Sequence, residues 1–163
     1  MYFTHAIVLS RQDAGEHDML FNLYTKEYGK VRAYAKGIKK EQAKLRGHLE
    51  TLSLAEVGLV AGKTGERLIY SSLIHYWDAV RRAPALLEVG HLMAALVDEH
   101  CFAGTRDDTL WQLMVAGFAD LEEGRVAPDA ARAYADRFRA RLFDCLGHAD
   151  TKEALFAGGN TAV

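Results

Sequence analysis

The sequence predicts an α+β protein, with a five-stranded β-barrel in its first half and an α-helical domain in its second. Five short runs of β-forming residues, separated by glycine-bearing turns, fill about the first 75 residues. Near Arg81 the hydrophobic period lengthens from two residues to about 3.6. Two of the helical stretches that follow open on a proline, Pro84 and Pro128.

In order, HAIVLSR (5–11) and DMLFNLYT (18–25) are the first two runs, joined by the turn chemistry of QDAGEH. TKEYGK has the size and the late glycine of a hairpin loop in which Gly29 takes a positive φ. The third strand covers Lys30 to Lys36. HLETLSLAEVGLV (48–60) alternates in part and gives the fourth, and AGKTGE turns the chain into the fifth, RLIYSSLIHYW (67–77). Five short antiparallel strands close into a barrel, because an open sheet of that size leaves two exposed edges.

The first helix starts at Pro84 and reaches about Cys101, with Glu88, His91, Ala95 and Asp98 as its polar stripe. Leu110, Leu113, Met114, Gly117, Phe118 and Leu121 mark the buried face of the second, which ends near Gly124. A third opens at Pro128 and Asp129, buries Ala131, Tyr134, Ala135, Phe138, Leu142 and Cys145, and is capped by Gly147. No Pro/Gly/Ser-rich linker separates barrel from helices, so the two are expected to pack together. The expected division is residues 1–80 as the barrel domain, 81–150 as the helical domain and 151–163 as a poorly anchored tail.

The 163 residues carry a net charge of -2, distributed unevenly. Up to Asp78 there are 11 basic and 9 acidic residues; from Ala79 onward there are 9 and 13. Seven of the eight lysines lie before Asp78, whereas eight of the twelve arginines lie after it, as expected of two surfaces with two tasks. No apolar run reaches the length of a membrane span and the N-terminus lacks a secretory layout, so a cytoplasmic protein is expected. Cys101 and Cys145 stand alone in helical segments and read as reduced core residues.

Catalytic patterns are weak. GKTGE lacks the upstream glycine of a phosphate-binding loop and lies between strands. The seven histidines form no i, i+4 helical pair and have no cysteine partners, so no metal or other cofactor is expected. Ser71 and Ser72 have no glycine-flanked elbow. Glu16, His17 and Asp18 group two carboxylates with an imidazole, which leaves a metal-dependent hydrolase as a minor alternative to turn formation.

The stretch KVRAYAKGIKKEQAKLRGHL (30–49) stands out, with seven lysines and arginines in twenty residues. At period two, Val31, Ala33 and Ala35 face one side, and Lys30, Arg32, Tyr34 and Lys36 the other. Lys39, Lys40, Lys44 and Arg46 extend the basic surface into a loop. A solvated strand face explains this pattern. So does a groove that runs along phosphates and stacks bases on an aromatic, a mode suited to backbone binding without sequence readout.

Three segments in this order, AIVLSRQDAGEHD, LYTKEYGKVRAYAKG and KLRGHLETLSLAEVGLV, resemble the N-terminal domain of the RecO family of DNA repair and recombination-mediator proteins. Gly15-Glu16 with Asp18, Thr25 with Gly29, and Ala35-Lys36-Gly37 carry the resemblance over about residues 1–80. RFRARLFDCLG (137–147) resembles the last helix of the family's helical domain. The resemblance implies an oligonucleotide-binding (OB) barrel, binding of single- and double-stranded DNA, strand annealing, and help in loading RecA onto DNA covered by single-stranded-DNA-binding protein. It implies as partners the RecR ring and the acidic, phenylalanine-ended tail of that protein, and a cytoplasmic, nucleoid-associated location. Many family members carry a four-cysteine zinc site after this helix; HADTKEALFAGGNTAV (148–163) has no cysteine, so that module is missing from this sequence. An interaction adaptor whose barrel no longer binds DNA is the alternative.

On the last helix Arg132, Asp136, Arg139 and Phe143 share a stripe, with Arg137 and Arg141 on its flank. Phe143 packs under the barrel or the tail in the simplest account. In a sharper one, the arginine-rimmed apolar spot receives the acidic, aromatic partner tail.

Overall fold

The computed structural model describes residues 1–43, 45 and 47–147. Strands β1 (Tyr2–Asp13), β2 (Met19–Thr25), β3 (Gly29–Ala35), β4 (Leu54–Gly62) and β5 (Gly65–His75) close into a barrel in the order β1-β2-β3-β5-β4. All neighbouring pairs are antiparallel except β3 with β5, which meet in parallel at Ala33–Glu66 and Tyr34–Arg67. That short seam closes the barrel and removes the exposed edges of an open sheet.

The alternation of β3 is as the sequence implies. Val31, Ala33 and Ala35 are buried, and they join Ala6, Val8, Phe21, Leu23, Val57 and Leu59 in the barrel interior. Strand β4 begins six residues later than expected. Residues 48–53 instead wrap the barrel end: the Leu52 N–H donates to the Val8 carbonyl at 2.8 Å, and Leu49 and Leu52 are buried. Leu52 adopts φ 76° there, and its carbonyl accepts from the Trp77 indole at 3.0 Å. A tertiary anchor thus overrides the strand pattern in this segment.

After β5 come α1 (Asp78–Arg82), α2 (Pro84–His100), α3 (Asp108–Glu122), a 3₁₀ turn at Pro128–Ala130 and α4 (Ala131–Cys145). The last three helices match the expected ones. Helix α1 is too short to show a period; it is held by the Glu122 carboxylate, which accepts from the Ala79 and Val80 N–H groups at 3.2 and 3.1 Å. A second core joins the barrel's outer Ile7, Leu9 and Tyr24 to Trp77, Met93, Phe118, Phe138 and Leu142. The helices therefore sit directly on the barrel. Cys101 and Cys145 are both free thiols, and burial pushes that of Cys101 up to about 11.

Candidate nucleic-acid interface

On the outer face of β2 and β3, Tyr24 lies opposite Lys30, Asn22 opposite Arg32, and Leu20 opposite Tyr34. The helical unit covers one end of this face. There the Lys30 ammonium pairs with Asp98 Oδ1 of α2 at 2.9 Å and also donates to the Asp98 carbonyl. The Ser10 hydroxyl donates to Asp98 Oδ2 at 2.7 Å, and the Asn22 amide donates to the same oxygen at 3.3 Å. Burial by itself would raise the Asp98 carboxyl, but Lys30, Ser10 and Asn22 outweigh it and hold the group below its ordinary value. Next to it, the hairpin presses on the loop after α2: a Cβ on Gly29 (φ 64°) would lie 2.0 Å from the Thr105 carbonyl oxygen, so this position requires glycine twice over.

The other end is open. Arg32, Lys36 and Lys40 are exposed and make no ion pair among the described residues. Tyr34 is half-buried and donates its hydroxyl to Asp18 Oδ2, while the Gly37 N–H reaches Asp18 Oδ1 at 2.6 Å. The Tyr34 hydrogen bond, and after it that of Gly37, hold the Asp18 carboxyl below its ordinary value. Asp18 thus orients the aromatic and the start of the basic loop. Lys39 crosses to the β1–β2 turn, pairing with Asp13 at 2.7 Å and donating to the Gly15 carbonyl at 3.2 Å. Lys44 and Arg46 lie outside the described residues.

Of the eight basic-face residues, the structure therefore gathers Tyr34, Lys36, Lys39 and Lys40 toward one end, leaves Arg32 exposed between the two ends and ties Lys30 to the helices. It adds one that the sequence reading passed over. Arg67 of β5 is exposed and lies directly opposite Tyr34 across the parallel seam. Its signal is the basic pair Lys63 and Arg67 around the β4–β5 turn, but only the barrel's closure places Arg67 next to β3.

On α4, Arg132, Arg137, Arg139 and Arg141 are exposed and Phe143 is half-buried. The Arg139 guanidinium lies 5.4 Å from the Phe143 ring centre, and His100 meets that ring edge-on at 5.1 Å. Arg137 lies 5.7 Å from the ring of Tyr134, whose hydroxyl donates to Asp120 at 2.9 Å. Arg132 approaches Asp136 at 3.9 Å, one turn on. Phe143 also packs against the second core, so the arginines rim a partly apolar spot.

Among the described residues, no group of three or more His, Cys, Asp or Glu side chains is placed to hold a metal ion, and no helix is long and apolar enough to cross a membrane.

A closed barrel of this strand order, with a basic, aromatic-bearing β2–β3 face, defines an OB-fold protein. Residues 1–76, which hold the whole barrel, match the family described as "Recombination protein O N terminal". The chain is similar to the DNA repair protein RecO of Geobacter sulfurreducens, 29% identical over 154 residues, covering 94% of this chain and 62% of that one. It is likewise similar to the DNA repair protein RecO of Heliobacterium modesticaldum, 30% identical over 148 residues (91% and 52%). The DNA repair protein RecO of Dehalococcoides mccartyi strain BAV1 is 28% identical over 121 residues (74% and 48%). The chain thus spans about half the length of the curated relatives it matches.

Proposed function

We propose that this protein is a non-enzymatic mediator of DNA repair and homologous recombination. It binds single- and double-stranded DNA through the backbone, anneals complementary strands and helps load RecA onto DNA covered by single-stranded-DNA-binding protein. The observation that carries this reading is the open end of the β2–β3 face in a barrel that matches the RecO family, where Lys36 and Lys40, with Arg32 before them, stand unpaired among the described residues around Tyr34. Cations there neutralise phosphates and release counterions, and Tyr34 offers a ring to a base. Lys39, Lys44 and Arg46 extend the surface along the loop. Lys30 acts at one remove, because its ammonium is committed to Asp98.

The arginines of α4, Arg132, Arg137, Arg139 and Arg141, with Phe143, receive the acidic, aromatic tail of single-stranded-DNA-binding protein: guanidinium groups pair with carboxylates beside an apolar ring. RecR is the second protein partner, RecA is engaged indirectly, and the protein works in the cytoplasm on the nucleoid.

An annealing assay with complementary oligonucleotides tests the reading. Replacing Lys36, Lys39 and Lys40 with glutamate abolishes annealing while the fold persists. Annealing by that variant at the parent rate would instead favour the adaptor, whose barrel makes no use of DNA. That alternative draws on Tyr34 and Lys39 having partners within the protein.

A further inference from the structure

At the barrel mouth beside the Gly62–Gly65 turn, a cleft of about 400 Å³ adjoins the basic face at Lys30 and Arg32. It forms where the closing seam splits. β3 pairs with β5 only at Ala33 and Tyr34. Upstream, its backbone turns to the loop after α2, where Lys30 bridges Ala103 and the Gly104 N–H donates to the Lys30 carbonyl at 3.0 Å.

Register opposite Ala33, a fully buried residue of the barrel interior, turns Glu66 toward this mouth. Its Oε2 is closed off from solvent and has no hydrogen-bond partner, while the Tyr2 hydroxyl donates to the same carboxylate; burial, and after it that carboxylate, raise the hydroxyl above its ordinary value. A buried carboxylate oxygen without a donor is costly, and an incoming donor relieves that cost. Tyr2 and Tyr28 line the same cleft with ring centres 4.4 Å apart, and Tyr28 is 40% exposed. Arg32 stands exposed on the rim. The other two charged groups of the lining are already occupied: Glu27 accepts from the Thr4 hydroxyl, and Lys30 pairs with Asp98. A guest therefore meets one aromatic face, one acceptor and one cation, in a place where barrels often hold small ligands.

We propose that the cleft seats one unstacked base of single-stranded DNA and prefers guanine, with Tyr28 against the ring, Glu66 accepting from the base edge and Arg32 on the neighbouring phosphate. Guanine alone among the four bases sets two adjacent donors, N1–H and the N2 amino group, against the two oxygens of a carboxylate. The terminal torsion of glutamate is broad and two-fold, so the carboxylate turns to the base as the Tyr2 hydroxyl releases it. The inference rests on the DNA-binding reading and adds base choice to a contact that is otherwise indifferent to sequence.

The test is fluorescence anisotropy of the full chain with two labelled oligonucleotides of roughly 15 nucleotides, one all thymine and one with a single central guanine, each titrated with salt. The guanine oligonucleotide binds about five-fold tighter or more. That ratio falls toward one in Glu66→Gln, whose amide turns donors against donors. It falls as well when inosine, which lacks the N2 amino group, replaces guanine against the unaltered protein. Salt-dependent binding with equal affinity for both oligonucleotides overturns the inference and leaves DNA binding standing, as does a preference that survives the inosine exchange. Binding of neither oligonucleotide overturns both.

Discussion

At one end of β3, Lys30 lies against α2 with its ammonium on Asp98, and Ser10 and Asn22 converge on the same carboxylate. At the other, Lys36 and Lys40 project into solvent beyond Tyr34, whose hydroxyl is steadied by Asp18. The residue types are alike, and the surroundings set their roles. Where a helix brings a carboxylate to the strand, the cation becomes part of the joint between barrel and helices. Where none arrives, the charge remains available to a partner.

The largest effect expected from breaking this contrast is at the joint. Asp98→Ala removes the carboxylate that Lys30, Ser10 and Asn22 share at a mostly buried site and lowers stability by about 3 kcal/mol, read as a lower urea midpoint. The pH dependence has a definite sign. Because Asp98 lies below its ordinary value in the folded protein, its contribution is fully present above the ordinary carboxylate range and is lost as pH falls through the lowered folded value. An Asp98→Asn variant lacks that part of the acid limb in urea titrations.

Next in size is the open end. Lys36→Glu with Lys40→Glu weakens single-strand binding by about thirty-fold at moderate salt and leaves the urea midpoint in place. Tyr34 sharpens the comparison further: Tyr34→Ala costs about ten-fold in affinity through the lost stack, whereas Tyr34→Phe keeps the ring and stays within about two-fold in the same anisotropy titration. The smallest effect lies away from both ends, where Glu122→Ala removes the cap of α1 and costs about 1 kcal/mol in urea unfolding without altering DNA affinity.

Much of this was legible in the sequence because it rests on local pattern. Alternation in KVRAYAK gives both the buried side of β3 and its basic outer side, and the turn glycines Gly29 and Gly65 locate two hairpins. The 3.6 period finds α2, α3 and α4. What was not legible depends on contacts distant in the chain. Lys30 and Lys36 look equivalent along the strand, and only the docking of α2, 68 residues on from Lys30 in the chain, separates them. Arg67 joins Tyr34 only through the parallel seam, which no hairpin pattern reveals. Helix α1 offers a single turn and takes its cap from Glu122, and residues 48–53 yield their strand pattern to the Trp77 anchor. The α4 stripe shows the same limit: spacing places Arg139 beside Phe143, but the edge-on contact of His100 comes from the end of α2.

The central claim is that the open end of β3, and not the end tied to α2, meets the phosphates. Salt-titrated binding of single-stranded DNA to the parent, to Lys36→Glu with Lys40→Glu, and to Lys30→Met tests it most directly. The account predicts a steep fall of affinity with salt in the parent, a log-log slope shallower by about 1.4 in the double variant, and a parental slope in Lys30→Met. A flat salt dependence in the parent, or a slope lost with Lys30 and kept without Lys36 and Lys40, would contradict it.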